Sequence, residues 1–185
     1  MAPLTGSLAL WRRLCTLALP LLAGGSAIAL AANAPPPLEQ AVKASYITKF
    51  APFIEWPAGA FANPDGPFMI CLAGHDAFGS TLDEIARGQK VKGRRIQVRR
   101  IGDTLSPGAC HMLVIGEGTP NALLAQVAGQ PVLTVADRSA GLDGGMIRFV
   151  RRAGRVRFEI DNGAARVAHL AISSKLLDLA VTVAR

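Results

Sequence analysis

Residues that build metal sites and redox centres are scarce in this sequence. Its 185 residues include three cysteines and three histidines. Cys71 has no CxxC or HxxxH partner around it, and Cys110 and His111 are neighbours on a predicted strand, where adjacent side chains point to opposite faces. His75 lies in a predicted turn and His169 in the last helical region. The sequence therefore predicts no metal centre and disfavours a nucleophilic thiol.

Signatures of several enzyme classes are also missing. The turn that follows the first sheet strand, Gly74 to Gly79, matches neither GxGxxG nor a Walker loop, so phosphate binding has little support. No serine lies in a GxSxG elbow. We predict a protein that is not an enzyme, with no catalytic residues and no cofactor. A thiol-dependent or hydrolytic enzyme that uses Cys110 is the least favoured alternative.

A long apolar run is a third absence. Arg12 and Arg13 precede the run Leu14 to Leu22, and proline and glycine residues keep that run below the roughly 18 to 20 apolar residues of a spanning helix. The stretch at positions 27–34 offers small residues at the minus-three and minus-one positions of a cleavage site. We predict an export signal peptide over residues 1–34 rather than a membrane anchor, with cleavage after Ala34; cleavage two or three residues earlier also fits.

The chain that remains after the predicted cleavage is basic and has the length of one domain. Loss of the leader removes two arginines and no acid from 20 basic and 13 acidic residues, which leaves a net charge of +5. About 150 residues suit one domain, here residues 35–185. Export disfavours nucleic acid as a partner, so the basic residues suit an acidic protein loop or lipid headgroups, with a merely solvated face as the alternative. They are Lys90, Lys92, Arg94, Arg95, Arg99, Arg100, Arg151, Arg152, Arg155 and Arg157.

Strand and helix patterns alternate along the chain. This alternation predicts the α/β class: a single three-layer domain with a largely parallel sheet and helices on both faces. The predicted strands are Phe68 to Ala73, one within Arg95 to Ile101, Met112 to Ile115 and Val132 to Ala136. The predicted helices are Leu38 to Glu55, stopped by Pro57, Phe78 to Arg87, Asn121 to Val127, and a final helical region from Ala164 to Ala184 with a break near Ser173-Ser174.

The stretch GGMIRFVRRAGRVRFEID alternates apolar and polar residues on both sides of Ala153-Gly154. It predicts an antiparallel hairpin in the C-terminal part of the chain. One face of the hairpin pairs Phe149 with Phe158 and Ile147 with Ile160, and the other pairs Arg148 with Glu159.

Cys71 and Cys110 fall on two predicted strands that are expected to be neighbours. Because exported proteins usually meet an oxidising environment, we predict a disulfide between them, with two buried free thiols as the alternative.

Three carboxylates, Asp76, Glu117 and Asp137, follow predicted strands at their carboxyl ends. Ligands of open α/β sheets bind at that edge, so Gly74, His75, Asp76 and Asp137 form a candidate ligand crevice. Such carboxylates are more often helix caps and turn formers.

Aromatic residues cluster near the first helix, at Tyr46, Phe50, Phe53, Trp56 and Phe61. Core packing is the plainer explanation for such a cluster, and a partner-facing or dimer-forming stripe is the functional one. The candidate partner-binding or dimer residues are Tyr46, Phe50, Phe53, Trp56, Arg151 and Arg155.

Seven stretches, taken together and in order, resemble the YfiR family of periplasmic proteins. The resemblance covers nearly the whole chain after the leader, and no single stretch carries it alone. The stretches are KASYITKFAPFIEWP (43–57), FMICLAGHDAFG (68–79), CHMLVIG (110–116), PVLTVAD (131–137), GGMIRF (144–149), RVRFEIDNGAA (155–165) and ISSKLLDLA (172–180).

The resemblance implies a periplasmic repressor that binds the periplasmic domain of an inner-membrane diguanylate cyclase. The cyclase then makes less cyclic di-GMP, and biofilm formation is restrained. An outer-membrane OmpA-like lipoprotein can sequester such a repressor. The resemblance also implies a homodimer. The alternative function is that of a periplasmic small-solute-binding protein that uses the crevice.

The resemblance further implies a redox-sensitive disulfide, and Cys71 and Cys110 match the family's cysteine positions. Some relatives have a second cysteine pair near the hairpin, where this chain has Gly145 and Arg152, so a second bridge does not transfer. The acidic pair that would make GGMIR a cyclase signature is absent. The resemblance therefore implies regulation of cyclic di-GMP synthesis rather than synthesis itself.

Overall fold

A computed structural model describes residues 38–185, except residues 62, 64, 103, 107 and 143. The predicted signal peptide lies outside the described residues and stays a prediction. None of the described helices is long and apolar enough to cross a membrane.

Strands and helices alternate over most of the described chain. The helices are α1 (Leu38–Phe50), α2 (Ser80–Ala86), α3 (Asn121–Val127), α4 (Asn162–Val167) and α5 (Ser174–Leu177). The strands are β1 (Ile54–Glu55), β2 (Phe68–Ala73), β3 (Lys90–Val91), β4 (Arg94–Ile101), β5 (Met112–Ile115), β6 (Leu133–Asp137), β7 (Ile147–Arg152), β8 (Arg155–Asp161), β9 (Ala171–Ile172) and β10 (Thr182–Ala184). Short 3₁₀ turns lie at Ala51–Phe53, Ala58–Ala60 and Arg138–Ala140.

Eight strands form one sheet in the order β3-β4-β2-β5-β6-β7-β8-β10. The five strands from β4 to β7 in that order are parallel, while β3 and β8 run antiparallel to their inner neighbours. The prediction of a largely parallel sheet is confirmed. Beside this sheet, β1 and β9 form a small antiparallel pair.

The sheet separates two apolar cores. The larger core packs α1, α2, α4 and α5 against one face, through buried residues such as Ile47, Phe50 and Leu82. The smaller core packs α3 against the other face through Leu123 and Val127. Helices on both faces explain why all six side chains of β2 are buried, because a central parallel strand is covered from both sides.

The predicted hairpin is confirmed together with its register. Phe149 lies opposite Phe158, and Arg148 lies opposite Glu159. Ala153 and Gly154 take φ values of 48° and 72° at the turn. Positive φ at both central residues gives a turn whose twist matches that of the two strands.

The predicted first helix is wrong at its end. We expected it to reach Glu55, but α1 ends at Phe50 and the chain continues through a 3₁₀ turn into β1. Pro52 accounts for the difference, because it has no N–H to donate to the carbonyl of Thr48 in a continued helix.

The predicted final helix is wrong over most of its length. Only α4 and the single-turn α5 are helical; β9 lies between them and β10 follows α5. His169 adopts a left-handed φ of 56°, which ends the helical region of α4. Thr182 and Val183 then pair with β8 in parallel, since that edge of the sheet offers free backbone groups.

Candidate functional site

The chain changes direction around β2. Through α2 the chain passes from β2 to β4 on one side, and it then returns to place β5 on the other side of β2. Since α2 and α3 cover opposite faces, the carboxyl ends of β2 and β5 stand at a topological switch point, where open α/β sheets bind ligands. A cavity of ≈ 100 Å³ lies at this position, and we call it the switch-point pocket.

The switch-point pocket is apolar inside and polar at its rim. Leu72, Val114 and Phe149 belong to its apolar wall. Its polar side chains are Gln40 of α1, His75, Glu117 and Asp137. The Oε1 atom of Gln40 is buried and has no hydrogen-bond partner.

Two of the four predicted crevice residues line this pocket, namely His75 and Asp137. Asp76 forms the adjacent turn instead: its Oδ1 accepts hydrogen bonds from the N–H groups of Phe78 and Gly79, at 2.8 and 3.2 Å. Its Oδ2 accepts one from Arg100 at 2.9 Å. The cap-and-turn alternative therefore describes Asp76.

Gly74 shapes the junction between β2 and β5 rather than the pocket wall. It has a φ of 71°, and a Cβ added there would collide with the carbonyl oxygen of Glu117. A Cβ on Gly116 would collide with the carbonyl oxygen of His75. Glycine at both positions lets the two strand ends meet through hydrogen bonds from His75 N to Glu117 O, at 2.7 Å, and from Gly116 N to Ala73 O, at 2.8 Å.

Beside the pocket, a buried lysine joins α1 to the end of β6. Lys43 is 2% exposed, and its Nζ donates to Asp137 Oδ2 at 2.5 Å and to Glu39 Oε1 at 2.6 Å. Ser139 Oγ lies at 3.2 Å from the same ammonium. Glu39 also pairs with Arg151 across 3.4 Å. These contacts satisfy a charge that would otherwise be costly to bury.

A second polar cluster covers one face of the β7–β8 hairpin. Glu159 is 5% exposed and lies within ion-pair distance of three guanidinium groups. Arg155 and Arg157 share this face, because they alternate with Glu159 along β8. We call Glu159 and these five arginines (Arg138, Arg148, Arg152, Arg155 and Arg157) the arginine face. Glu159 forms ion pairs with Arg138 at 2.9 Å, Arg152 at 3.5 Å and Arg148 at 3.8 Å.

The predicted disulfide between Cys71 and Cys110 is present, with Cα atoms 5.8 Å apart. Cys71 is 0% and Cys110 is 3% exposed. Cys110 belongs to the smaller core, whereas the next residue, His111, points to the other side of the sheet, so the two side chains do not act on a common group. His111 instead joins the larger core beside two aromatic rings, Phe61 at 4.5 Å and Phe68 at 5.2 Å between centroids.

Comparison with known proteins identifies one matching family. No curated protein matches the chain. The sequence profile described as YfiR/HmsC-like matches residues 40–181, which is more than half of the chain. The chain belongs to the YfiR/HmsC-like family. Proteins of this family are periplasmic regulators of diguanylate cyclase signalling and are not known to be enzymes.

The candidate partner residues of this YfiR/HmsC-like protein do not form one surface. Phe50 and Trp56 are buried in the larger core, at 1% and 8% exposure, as the core-packing explanation expects. Tyr46 and Phe53 are partly buried against the same core. Arg151 and Arg155 are exposed, but they lie on opposite faces of the hairpin.

Two residues of the candidate site, Lys43 and Gln40, were not predicted from the sequence. Lys43 carried a readable signal, because it precedes the buried Ile47 and Phe50 by four and seven residues, which places it on the apolar face of α1. Gln40 carried no such signal, since nothing in the sequence places α1 over the ends of β2 and β5.

Among the described residues, no group of three His, Cys, Asp or Glu side chains is placed to hold a metal ion.

Proposed function

We propose that this protein is a periplasmic negative regulator that binds the periplasmic domain of an inner-membrane diguanylate cyclase. Binding lowers the synthesis of cyclic di-GMP in the cytoplasm and so restrains biofilm formation. The observation that carries the proposal is the family match over residues 40–181. The export signal predicted at residues 1–34 would deliver the protein to the compartment where such a domain lies.

The arginine face is the surface that we assign to the cyclase. Arg152, Arg155 and Arg157 are exposed, and the ion pairs described for the five arginines of this face converge on one acid, Glu159. A surface with this excess of positive charge attracts an acidic segment and speeds its encounter. We therefore propose an acidic loop or helix of the periplasmic domain as the contacting element.

The test compares two pairs of charge reversals in a strain that lacks the protein. Arg152 and Arg155 face each other across the β7–β8 turn, and Lys90 and Arg95 face each other across β3 and β4. All four are exposed, so Arg152→Glu/Arg155→Glu and Lys90→Glu/Arg95→Glu change the net charge equally at different sites.

Deletion should raise cellular cyclic di-GMP. The wild type and the Lys90→Glu/Arg95→Glu variant should lower it again and should co-purify with the cyclase, whereas the Arg152→Glu/Arg155→Glu variant should do neither. Unchanged cyclic di-GMP after deletion contradicts the proposed function. Full repression by the Arg152→Glu/Arg155→Glu variant contradicts only the assigned surface.

The resemblance also supports a homodimer and capture by an outer-membrane OmpA-like lipoprotein, and we include both in the proposal. Of the candidate partner-binding aromatic residues, Tyr46 and Phe53 are the two that stay partly exposed and available to such contacts. Light scattering on the purified protein should give twice the mass of the chain. A monomer mass at all accessible concentrations would remove the dimer from the proposal and leave repression standing.

A further inference from the structure

We infer that the switch-point pocket binds a small primary amine with a short apolar tail. Four observations carry the inference: the position of the pocket, its size, an unpartnered acceptor in its wall and the acids at its rim. The inference stands on the pocket alone, so it does not depend on the proposed repression of a cyclase.

The position and size define what kind of molecule fits. The pocket lies where strand order reverses, the usual ligand position of doubly wound sheets. Its volume of ≈ 100 Å³ is well below the roughly 300 to 1,000 Å³ of pockets that hold drug-sized ligands. The occupant therefore has few non-hydrogen atoms. Leu72, Val114 and Phe149 favour an apolar tail on it.

Gln40 defines the polar end of the ligand. Its Oε1 is buried at the pocket without a hydrogen-bond partner. A buried acceptor is normally paired, so this atom calls for a donor that the described chain does not supply. A ligand with an N–H or O–H group meets that need, and a carboxylate or phosphate group does not.

The rim acids favour a cationic donor over a neutral one. Asp137 is already paired with Lys43 through Oδ2. Glu117 is exposed at the rim and takes part in none of the ion pairs found among the described residues. A charged ammonium group at the mouth would therefore find Glu117 as its counter-ion and Gln40 as its acceptor. An anion would instead meet the carboxylate of Glu117 at the mouth.

The test uses the purified chain without its leader and three probes of equal length: n-butylammonium, n-butanol and butyrate. Amide chemical shifts in two-dimensional NMR spectra report binding at the residues concerned. So few atoms limit the affinity, and we expect a Kd of about 1 mM for n-butylammonium, with saturable shifts at Gly116, Glu117 and Ala136. n-Butanol should bind several-fold more weakly, and butyrate should cause no saturable shift.

Two variants separate the pocket from general effects. Glu117→Gln changes an exposed side chain and should leave folding intact, yet it should weaken n-butylammonium binding about tenfold. Gln40→Met should do the same. The matched controls, Glu84→Gln and Gln97→Met, change exposed residues away from the pocket and should bind as the wild type does.

Specific outcomes overturn the inference. Absence of saturable shifts at about 50 mM n-butylammonium would do so, because even weak binding by so small a ligand is visible there. Equal binding of butyrate, or unchanged binding by a folded Glu117→Gln variant, would do so as well. None of these results bears on cyclic di-GMP, so they leave the proposed repression untouched.

Discussion

The ammonium group of Lys43 lies 2.5 Å from Oδ2 of Asp137, and this contact ties α1 to the carboxyl end of β6. The side chain of Lys43 is 3% exposed and that of Asp137 is 17% exposed. The pair therefore holds the first helix of the larger core against the strand end that borders the switch-point pocket.

Replacement of Lys43 by methionine should destabilise the protein by about 3 kcal/mol, because it leaves the carboxylate of Asp137 without its cationic partner. Lys49→Met is the matched control, since Lys49 is exposed on the same helix. Its effect should stay within about 0.5 kcal/mol. Urea unfolding monitored by circular dichroism measures both. Equal stability of the two variants would show that the Lys43 ion pair is not needed.

The stability of the protein should fall as the pH drops below about 6.5, the ordinary pKa of histidine. Burial lowers the pKa of His111, the positive charge of Arg94 lowers it further, and a hydrogen bond to the backbone of Ala60 opposes both. The unfolded chain therefore binds a proton in the window between the lowered pKa and the ordinary one, where the folded protein does not.

The comparison with His111→Phe isolates this effect. The Nδ1 atom of His111 accepts a hydrogen bond from the N–H of Met69 at 2.9 Å. Phenylalanine leaves that buried donor unpaired, which should cost about 1 to 3 kcal/mol, but it also removes part of the pH dependence. Denaturant unfolding at several pH values checks both. A wild type and a variant with identical pH slopes would rule out His111 as the source.

Removal of the disulfide should lower stability by about 4 kcal/mol in a Cys71→Ala/Cys110→Ala variant, because the bridge closes a loop with a sequence separation of 39 residues. Both sulfurs are buried, so reductant should open the bridge slowly in the folded protein. Alkylation and intact mass of the denatured, unreduced protein show whether the bridge is present. Labelling of both thiols would contradict it.

Binding to the cyclase should weaken with salt if the arginine face makes the contact. A rise in ionic strength from about 0.1 M to about 1 M shortens the Debye length from about 10 Å to about 3 Å. We expect the Kd to rise about tenfold or more in that range for the wild type and for Lys90→Glu/Arg95→Glu. A wild-type Kd that does not change with salt would contradict an electrostatic interface.

The sequence alone was sufficient to predict those elements of the fold that depend on a local residue pattern. The hairpin register follows from the alternation of apolar residues around Ala153-Gly154, and the parallel sheet follows from alternating strands and helices. The end of the chain was different, because Thr182 and Val183 form a strand only through pairing with β8. Such a strand depends on a distant free edge that local spacing does not reveal.

In the candidate site, too, some residues were predictable from the sequence and others were not. His75 and Asp137 were predictable as pocket residues, because both follow strands at the same edge of a parallel sheet. Gln40 reaches that edge from a helix more than 30 residues earlier in the chain. The disulfide was predictable as well, because Cys71 lies on β2, Cys110 lies two residues before β5, and these two strands are neighbours in the sheet.

The central claim is that this protein binds a membrane diguanylate cyclase from the periplasmic side and inhibits it. The most direct measurement places the cyclase that co-purifies with the protein in proteoliposomes with its periplasmic domain accessible. The rate of cyclic di-GMP formation from GTP is then followed as the protein is added. We predict that the rate falls to a plateau as binding saturates. A rate that stays unchanged at saturating protein would contradict the account.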